Sequence, residues 1–226
     1  MPKLISILLS LSFVLMGCRP QAPRGPTFNS AVYADAVTEQ KFSVVLRLMT
    51  LCPEGRYIGT GFADSPSTVY TAKHVAMCKD GSPAILIIGK LYDGRKVNLV
   101  IDEVSPDHDT VKLIALTWNT GAGGMASFDH YAKINTNHPK IGAEVCFVGG
   151  AGDPNMFMEK CGKVSETTDD EEFSIGMLGL GGNSGGPIFN EAGEVIGIVT
   201  KRHLGDTVTY IVYSEHLPSL PTAPKK

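Results

Sequence analysis

Three residue types that together can turn an alcohol into a nucleophile stand in separate settings along this chain. Ser184 lies in Leu180-Gly181-Gly182-Asn183-Ser184-Gly185-Gly186-Pro187, His74 in Thr71-Ala72-Lys73-His74-Val75, and Asp109 in Asp107-His108-Asp109-Thr110-Val111. A serine hydroxyl attacks poorly at neutral pH. It needs a base to take its proton, a group that fixes the base's tautomer, and donors for the oxyanion that follows attack. The glycines around Ser184 permit positive φ and let successive amides curl about one point, which suits an anion. His74 differs from His108, His130, His138, His203 and His216 in following an apolar stretch, and Asp109 precedes another. Residue types alone leave a plainer reading open: a glycine loop that only turns the chain, a solvated histidine and a surface carboxylate. Gly182-Asn183-Ser184-Gly185-Gly186 also fits the nucleophile elbow of an α/β-hydrolase loosely, but that fold needs helices alternating with strands.

The elements that must hold these residues read as strands. Apolar or alternating stretches run over Phe42 to Leu48, Ser67 to Ala72, Ala84 to Ile88 (ended by Gly89), Lys96 to Val104 and Val111 to Leu116. In the second half they run over Glu144 to Val148, Gly162 to Ser165, Phe173 to Met177, Pro187 to Phe189, Val195 to Thr200 and Thr207 to Tyr213. Turn signals such as Tyr92-Asp93-Gly94-Arg95 and Glu191-Ala192-Gly193-Glu194 separate them, and 3.6-residue periodicity is scarce. The class expected is all-β, a sandwich or barrel. Between Thr117 and His138 the strand pattern lapses, which divides the fold into two β halves of similar size.

Taken together, Gly182-Asn183-Ser184-Gly185-Gly186-Pro187, Thr71-Ala72-Lys73-His74 and His108-Asp109 resemble the trypsin/chymotrypsin-like serine protease family, in the chain order His, Asp, Ser. Gly59-Thr60-Gly61-Phe62 and Gly193 to Val199 resemble the family's strands before the histidine and after the serine, so the likeness runs from about Phe42 to Leu217. The resemblance implies two six-stranded antiparallel β-barrels with the active site between them, His74 and Asp109 on the first (41–120) and Ser184 on the second (121–217). It implies Ser184 as nucleophile, His74 as general base and then acid, Asp109 as its orienting partner, and the amides of Gly182 and Ser184 as the oxyanion hole. The implied activity is that of a serine endopeptidase acting on proteins or peptides through an acyl-enzyme, with no cofactor and no metal. A catalytically silent binding or scaffold protein on the same fold is the alternative.

Departures from the family pattern carry information too. Asn183 stands where digestive members carry an aspartate that pairs with a freed N-terminus, so that activation switch is expected to be absent. Lys112 occupies a usually apolar position of the strand after the aspartate. The substrate pocket is expected to involve Leu178 and Gly179 on one wall and Thr200, Lys201 and Arg202 on the other. Leu178 replaces the aspartate that selects Lys or Arg, and Val199 replaces the histidine of glutamyl endopeptidases, which leaves an apolar residue before the scissile bond as the expectation.

The N-terminus leads to the expectation that this chemistry takes place outside the cytoplasm. Lys3 precedes an apolar run, Leu4 to Met16, shorter than the 20 or so residues a spanning helix needs and fitting a signal peptide. Leu15-Met16-Gly17-Cys18 resembles a lipoprotein processing site, which makes 1–18 a signal segment and Cys18 the lipidation candidate, the only expected tie to a membrane. The proline-rich 19–40 reads as a tether and the proline-rich 218–226 as a tail. The expected location is the periplasm or cell envelope, lipid-anchored or secreted. Four further cysteines, Cys52, Cys78, Cys146 and Cys161, are disulfide candidates in such a compartment, and the sequence-local pairing Cys52–Cys78 and Cys146–Cys161 is expected of the three connectivities. With 20 Lys and Arg against 23 Asp and Glu over 226 residues, and no basic cluster, no nucleic-acid partner is expected. Nothing in the residues points to an oligomeric state.

Overall fold

The computed structural model describes residues 36–118, 126–150, 157–167, 172–177, 179–202 and 209–218. The first six strands are β1 (Val45–Cys52), β2 (Gly55–Ala63), β3 (Thr68–Thr71), β4 (Leu86–Leu91), β5 (Lys96–Val104) and β6 (Val111–Trp118). They close in the order β1-β2-β3-β6-β5-β4. The second six, β7 (Glu144–Gly150), β8 (Phe157–Thr167), β9 (Glu172–Ile175), β10 (Pro187–Phe189), β11 (Val195–Arg202) and β12 (Thr209–Tyr213), close in the order β10-β11-β12-β9-β8-β7. All the strand pairings are antiparallel, and both barrels fall within one compact unit, Ala34–Lys226. The expected double barrel is what the chain forms.

Period-2 alternation decides which side chains fill each barrel. In β4 the buried positions are Ile87, Gly89 and Leu91, and β5 buries Val97 and Leu99 beside them. Gly89 therefore does not end its strand. A side chain there would meet Leu46 Cδ2 at 2.7 Å and Val97 Cγ1 at 3.1 Å, so glycine is what lets the strand pass through a crowded interior. Lys112 faces outward on β6 and meets Asp102 Oδ2 at 3.4 Å, which accounts for a cation at a position usually apolar.

Each barrel has its own core, one around Leu46, Leu48, Val69 and Leu113, the other around Phe147, Phe173, Ile175 and Ile211. A third apolar cluster draws on both: Val45, Phe62 and Tyr70 from the first barrel pack with Val148, Phe189, Val195 and Ile198 from the second. This shared core fixes the barrels against one another, and burial on that scale is the main favourable contribution to their docking.

Two short helices and one 3-10 turn accompany the strands among the described residues: α1 (Ala36–Ser43), α2 (Lys73–Ala76) and Ser214–His216. Helix α1 takes Phe42 and Ser43, which read as the start of a strand. Phe42 instead lies outside the first barrel with its ring 5.3 Å from that of Tyr92, and Lys41 Nζ, nearly buried, reaches Glu159 Oε1 of β8 at 2.8 Å. The long strand β8 extends well past Gly162 to Ser165 at both ends, its register with β7 running from Glu144 opposite Lys163 to Gly150 opposite Phe157. Its outer, polar-rich residues hide it from a reading based on apolar runs. Disulfides join Cys52 to Cys78 and Cys146 to Cys161, the pairing expected, the second directly across β7 and β8.

Candidate active site

His74 sits on the single turn α2 that follows β3, and Asp109 lies in the loop before β6, the strand paired with β3. That pairing carries the two residues, 35 positions apart in sequence, to the same end of the barrel. Asp109 then holds His74 twice: the His74 ring Nδ1–H donates to Oδ2 at 2.6 Å and the His74 backbone N–H donates to Oδ1 at 3.0 Å. A carboxylate only accepts, so Nδ1 carries the proton and Nε2 is left with its lone pair for a neighbour. Lys73 N–H donates to Asp109 O at 3.1 Å and closes the corner. The ring remains about half exposed.

Ser184 lies between β9 and β10 on two consecutive turns. Asn183 N–H donates to Leu180 O at 3.1 Å, and Gly186 N–H donates to Asn183 O at 2.9 Å. The third residue of each turn is a glycine at positive φ, Gly182 at +95° and Gly185 at +80°, the signature of type II turns. At Gly185 a side chain would collide with Thr71 Oγ1, Thr60 O and, at 2.6 Å, Ala72 N, so the loop presses directly on the strand ends that carry His74. Further, Gly185 N–H donates to Val199 O at 2.7 Å, which ties the loop to β11. Within 182–186 the amides of Asn183, Gly185 and Gly186 are therefore engaged. Those of Gly182 and Ser184 have no partner among the described residues, which leaves two alternate donors free at the turn that bears the serine.

The residue that fastens this loop to the first barrel is Thr60, a role that sequence reading does not reveal. Its N–H donates to Ser184 O at 2.8 Å, and its hydroxyl donates to Gly182 O at 2.7 Å while accepting from Gly150 N–H at 3.2 Å. Thr71 Oγ1 donates to Thr60 O at 2.7 Å. Both threonines are fully buried. The only signal in the sequence is that Thr60 sits inside Gly59-Thr60-Gly61; nothing marks its hydroxyl as the clamp.

The structure joins His74 to Asp109 and sets the loop that bears Ser184 against Thr60 and the end of β3, the strand that leads into His74. The Ser184 hydroxyl itself makes no hydrogen bond among the described residues. Of the expected pocket residues, Leu178 lies outside the described residues, as do the side chains of Lys201 and Arg202. Gly179 lies in the segment leading to the first turn. Thr200 is the extra residue of a β-bulge between Val199 and Lys201, nearly buried, with Oγ1 unpaired among the described residues. Bulges often re-aim side chains beside active sites, and this one turns Thr200 inward. Asn183 is likewise buried with both side-chain polar atoms unpaired among the described residues. Cys18 and the acidic run 169–171 fall outside the described residues. The groupings close enough to share a metal among those described, Cys52 with Glu54 and Cys78, and Glu144 with Cys146 and Cys161, are built on disulfide sulfurs, which are not thiolate ligands.

The profile of the trypsin-like peptidase domain matches residues 59–198, well over half of the chain. The chain belongs to the trypsin-like peptidase family. This trypsin-like peptidase is similar in fold to solved structures of the Rv3671c protease from M. tuberculosis. Against the active form the TM-score is 0.65 at 20% identity, covering 93% of this chain and 91% of that one. Against an inactive form the TM-score is 0.62 at 19% identity, covering 80% and 88%. The serine endoprotease from Yersinia pestis is similar with a TM-score of 0.62 at 22% identity, covering 80% of this chain and 64% of that one. These likenesses are of fold. No curated protein matches the sequence.

Proposed function

We propose that this trypsin-like peptidase is an exported serine endopeptidase with Ser184 as nucleophile, His74 as general base and acid, and Asp109 as the orienting carboxylate. The observation that carries the reading is the pairing of a doubly held His74–Asp109 corner with two free amides, Gly182 and Ser184, at the turn bearing a serine. Ser184 Oγ attacks the scissile carbonyl carbon as its proton passes to His74 Nε2, and the carbonyl oxygen takes the negative charge. Gly182 and Ser184 N–H donate to that oxyanion. Asp109 stays ionised and stabilises the imidazolium. Collapse breaks the C–N bond, His74 gives its proton to the leaving amine, and an ester to Ser184 remains. Water, deprotonated by His74, then attacks the ester carbonyl; as the bond to Ser184 Oγ breaks, His74 returns the proton to Oγ and the acid is released. Gly179, Thr200, Lys201, Arg202 and Leu178 are proposed to line the pocket for the residue before the scissile bond.

Two disulfides belong to an oxidising compartment, which supports export by the signal segment 1–18, with Cys18 as the proposed lipid anchor. The unbonded Ser184 hydroxyl favours one other reading, a silent binding protein on the same fold. Hydrolysis of a pool of peptides by the parent and by Ser184→Ala separates the two. The endopeptidase reading expects cleavage that the variant loses, and equal rates for both proteins would sink it.

A further inference from the structure

Resting on the endopeptidase reading, we infer that the cleft beside His74 receives the leaving-group half of the substrate. There Lys73 and Lys79 select an acidic side chain within two residues after the scissile bond. The direction follows from the proton. His74 must hand it to the leaving amine, so that nitrogen lies at Nε2 and the chain attached to it runs on past the histidine's own turn, away from the ester left on Ser184. What it meets there is a cleft of about 510 Å³ whose lining includes Tyr57, Lys73, His74, Met77, Lys79 and Asp109. The cleft adjoins the base directly, since His74 is itself one of its walls.

The lining has a definite chemistry. Tyr57, Met77 and the Cys52–Cys78 disulfide give apolar walls, while the two lysines end in ammonium groups that form no ion pair or side-chain hydrogen bond among the described residues. The carboxylates close by are already engaged. Asp109 holds His74 through both oxygens. Glu54 Oε1 accepts from Lys79 N–H at 2.7 Å and from Tyr57 OH at 3.1 Å, and Asp80 Oδ1 turns back onto Ser82. An aspartate or glutamate of the substrate thus finds apolar contact for its methylenes and uncommitted cations for its charge, whereas a lysine or arginine there meets two like charges and one lining carboxylate, Asp109, whose oxygens both already accept from His74. Both lysines are at least partly exposed, so the expected preference is moderate and screened by salt.

The experiment takes a peptide that the full chain cleaves. It compares kcat/KM for versions carrying Glu or Gln at the first and second positions after the scissile bond, with fluorophosphonate labelling of Ser184 run on the same preparation. We expect Glu over Gln by about fivefold at low salt, falling toward about twofold at high salt. The Lys73→Met/Lys79→Met double variant should bring the ratio to one. Lys79→Glu, at an exposed position that does not threaten folding, should lower it and raise cleavage of the Lys version relative to Gln. Labelling together with a ratio of one in the parent, or a ratio that the double variant leaves intact, would overturn the acidic preference and spare the endopeptidase reading. Absence of both labelling and cleavage would bring down the two together.

Discussion

The two barrels share strand number and strand order, yet they prepare their halves of the site in different ways. In the first barrel the catalytic candidates are held by one another: both oxygens of Asp109 are committed to His74, on a corner formed by paired strands and braced by the nearby Cys52–Cys78 bridge. In the second, Ser184 rides on two glycine turns whose own barrel holds them chiefly through β11, by Gly185 N–H to Val199 O and Val199 N–H to Gly186 O. The remaining constraints come from across the interface, where Thr60 clamps Ser184 O and Gly182 O. The half proposed to supply the base is thus held within one barrel, while the half proposed to supply the nucleophile is held partly by its own barrel and partly by the other. The proposed catalysis would in such a design be coupled to the shared core of Phe62, Tyr70, Val148 and Phe189.

The sharpest way to break the self-contained half is Asp109→Asn, which removes the acceptor that sets the His74 tautomer. Peptide hydrolysis should fall by about 10⁴-fold while the circular dichroism spectrum stays that of the parent. Breaking the dependent half at its most crowded point, Gly185→Ala forces a side chain into Thr71, Thr60 and Ala72 at a positive φ. We expect a loss of about 3 kcal/mol in denaturant unfolding and activity down by about 10²-fold or more. The cross-barrel clamp alone is removed by Thr60→Val, which keeps the shape and leaves Gly182 O and Gly150 N–H unpaired. That should cost about 1–3 kcal/mol and lower kcat by about tenfold with KM little changed, since Thr60 acts through the Gly182 peptide rather than on substrate. A Thr60→Ser variant should recover most of the rate; failure to do so would show that packing and not the hydrogen bond sets the loop.

The smallest effect concerns the entry to the second barrel. Hydrogen bonds from Lys133, then Asn135 and Asn190, hold the Glu194 carboxyl down to about 2 from its usual 4.5. A folded-state value below the unfolded one means that this carboxylate stabilises the fold above about pH 4.5 and that its contribution fades as pH falls through about 2. Glu194→Gln should therefore lower Tm slightly at pH 6, with the gap to the parent closing on acidification. A constant gap from pH 6 to pH 2 would assign the loss to packing instead.

Much of the arrangement was legible in the sequence because it rests on side-chain type and local spacing. Alternation in Lys96 to Val104 and the short apolar run Pro187 to Phe189 have the bounds of the strands they became, and the even cysteine count, paired locally, matches both bridges. What stayed hidden depends on contacts between distant residues. Gly89 looks like a stop until the crowding by Leu46 and Val97 is known, and Lys112 looks misplaced until Asp102 is set beside it. Phe42 reads as a strand residue because its ring is apolar, but its partner Tyr92 lies on the outside of the barrel. Thr60 is the clearest case: a buried threonine in a strand is ordinary, and only the register of β2 against a loop more than a hundred residues away makes it a clamp. The glycines of 181–186 were readable as a nest, whereas which amides remain free was decided by the two turns and by Val199.

The most direct measurement is reaction of the full chain with a fluorophosphonate probe, followed by mass spectrometry of the digested protein, on the parent, His74→Ala and Thr60→Val. The account predicts a single adduct on Ser184 in the parent, lost in His74→Ala and slowed in Thr60→Val. A folded parent that takes no adduct, or an adduct that forms equally well without His74, would contradict an activated Ser184.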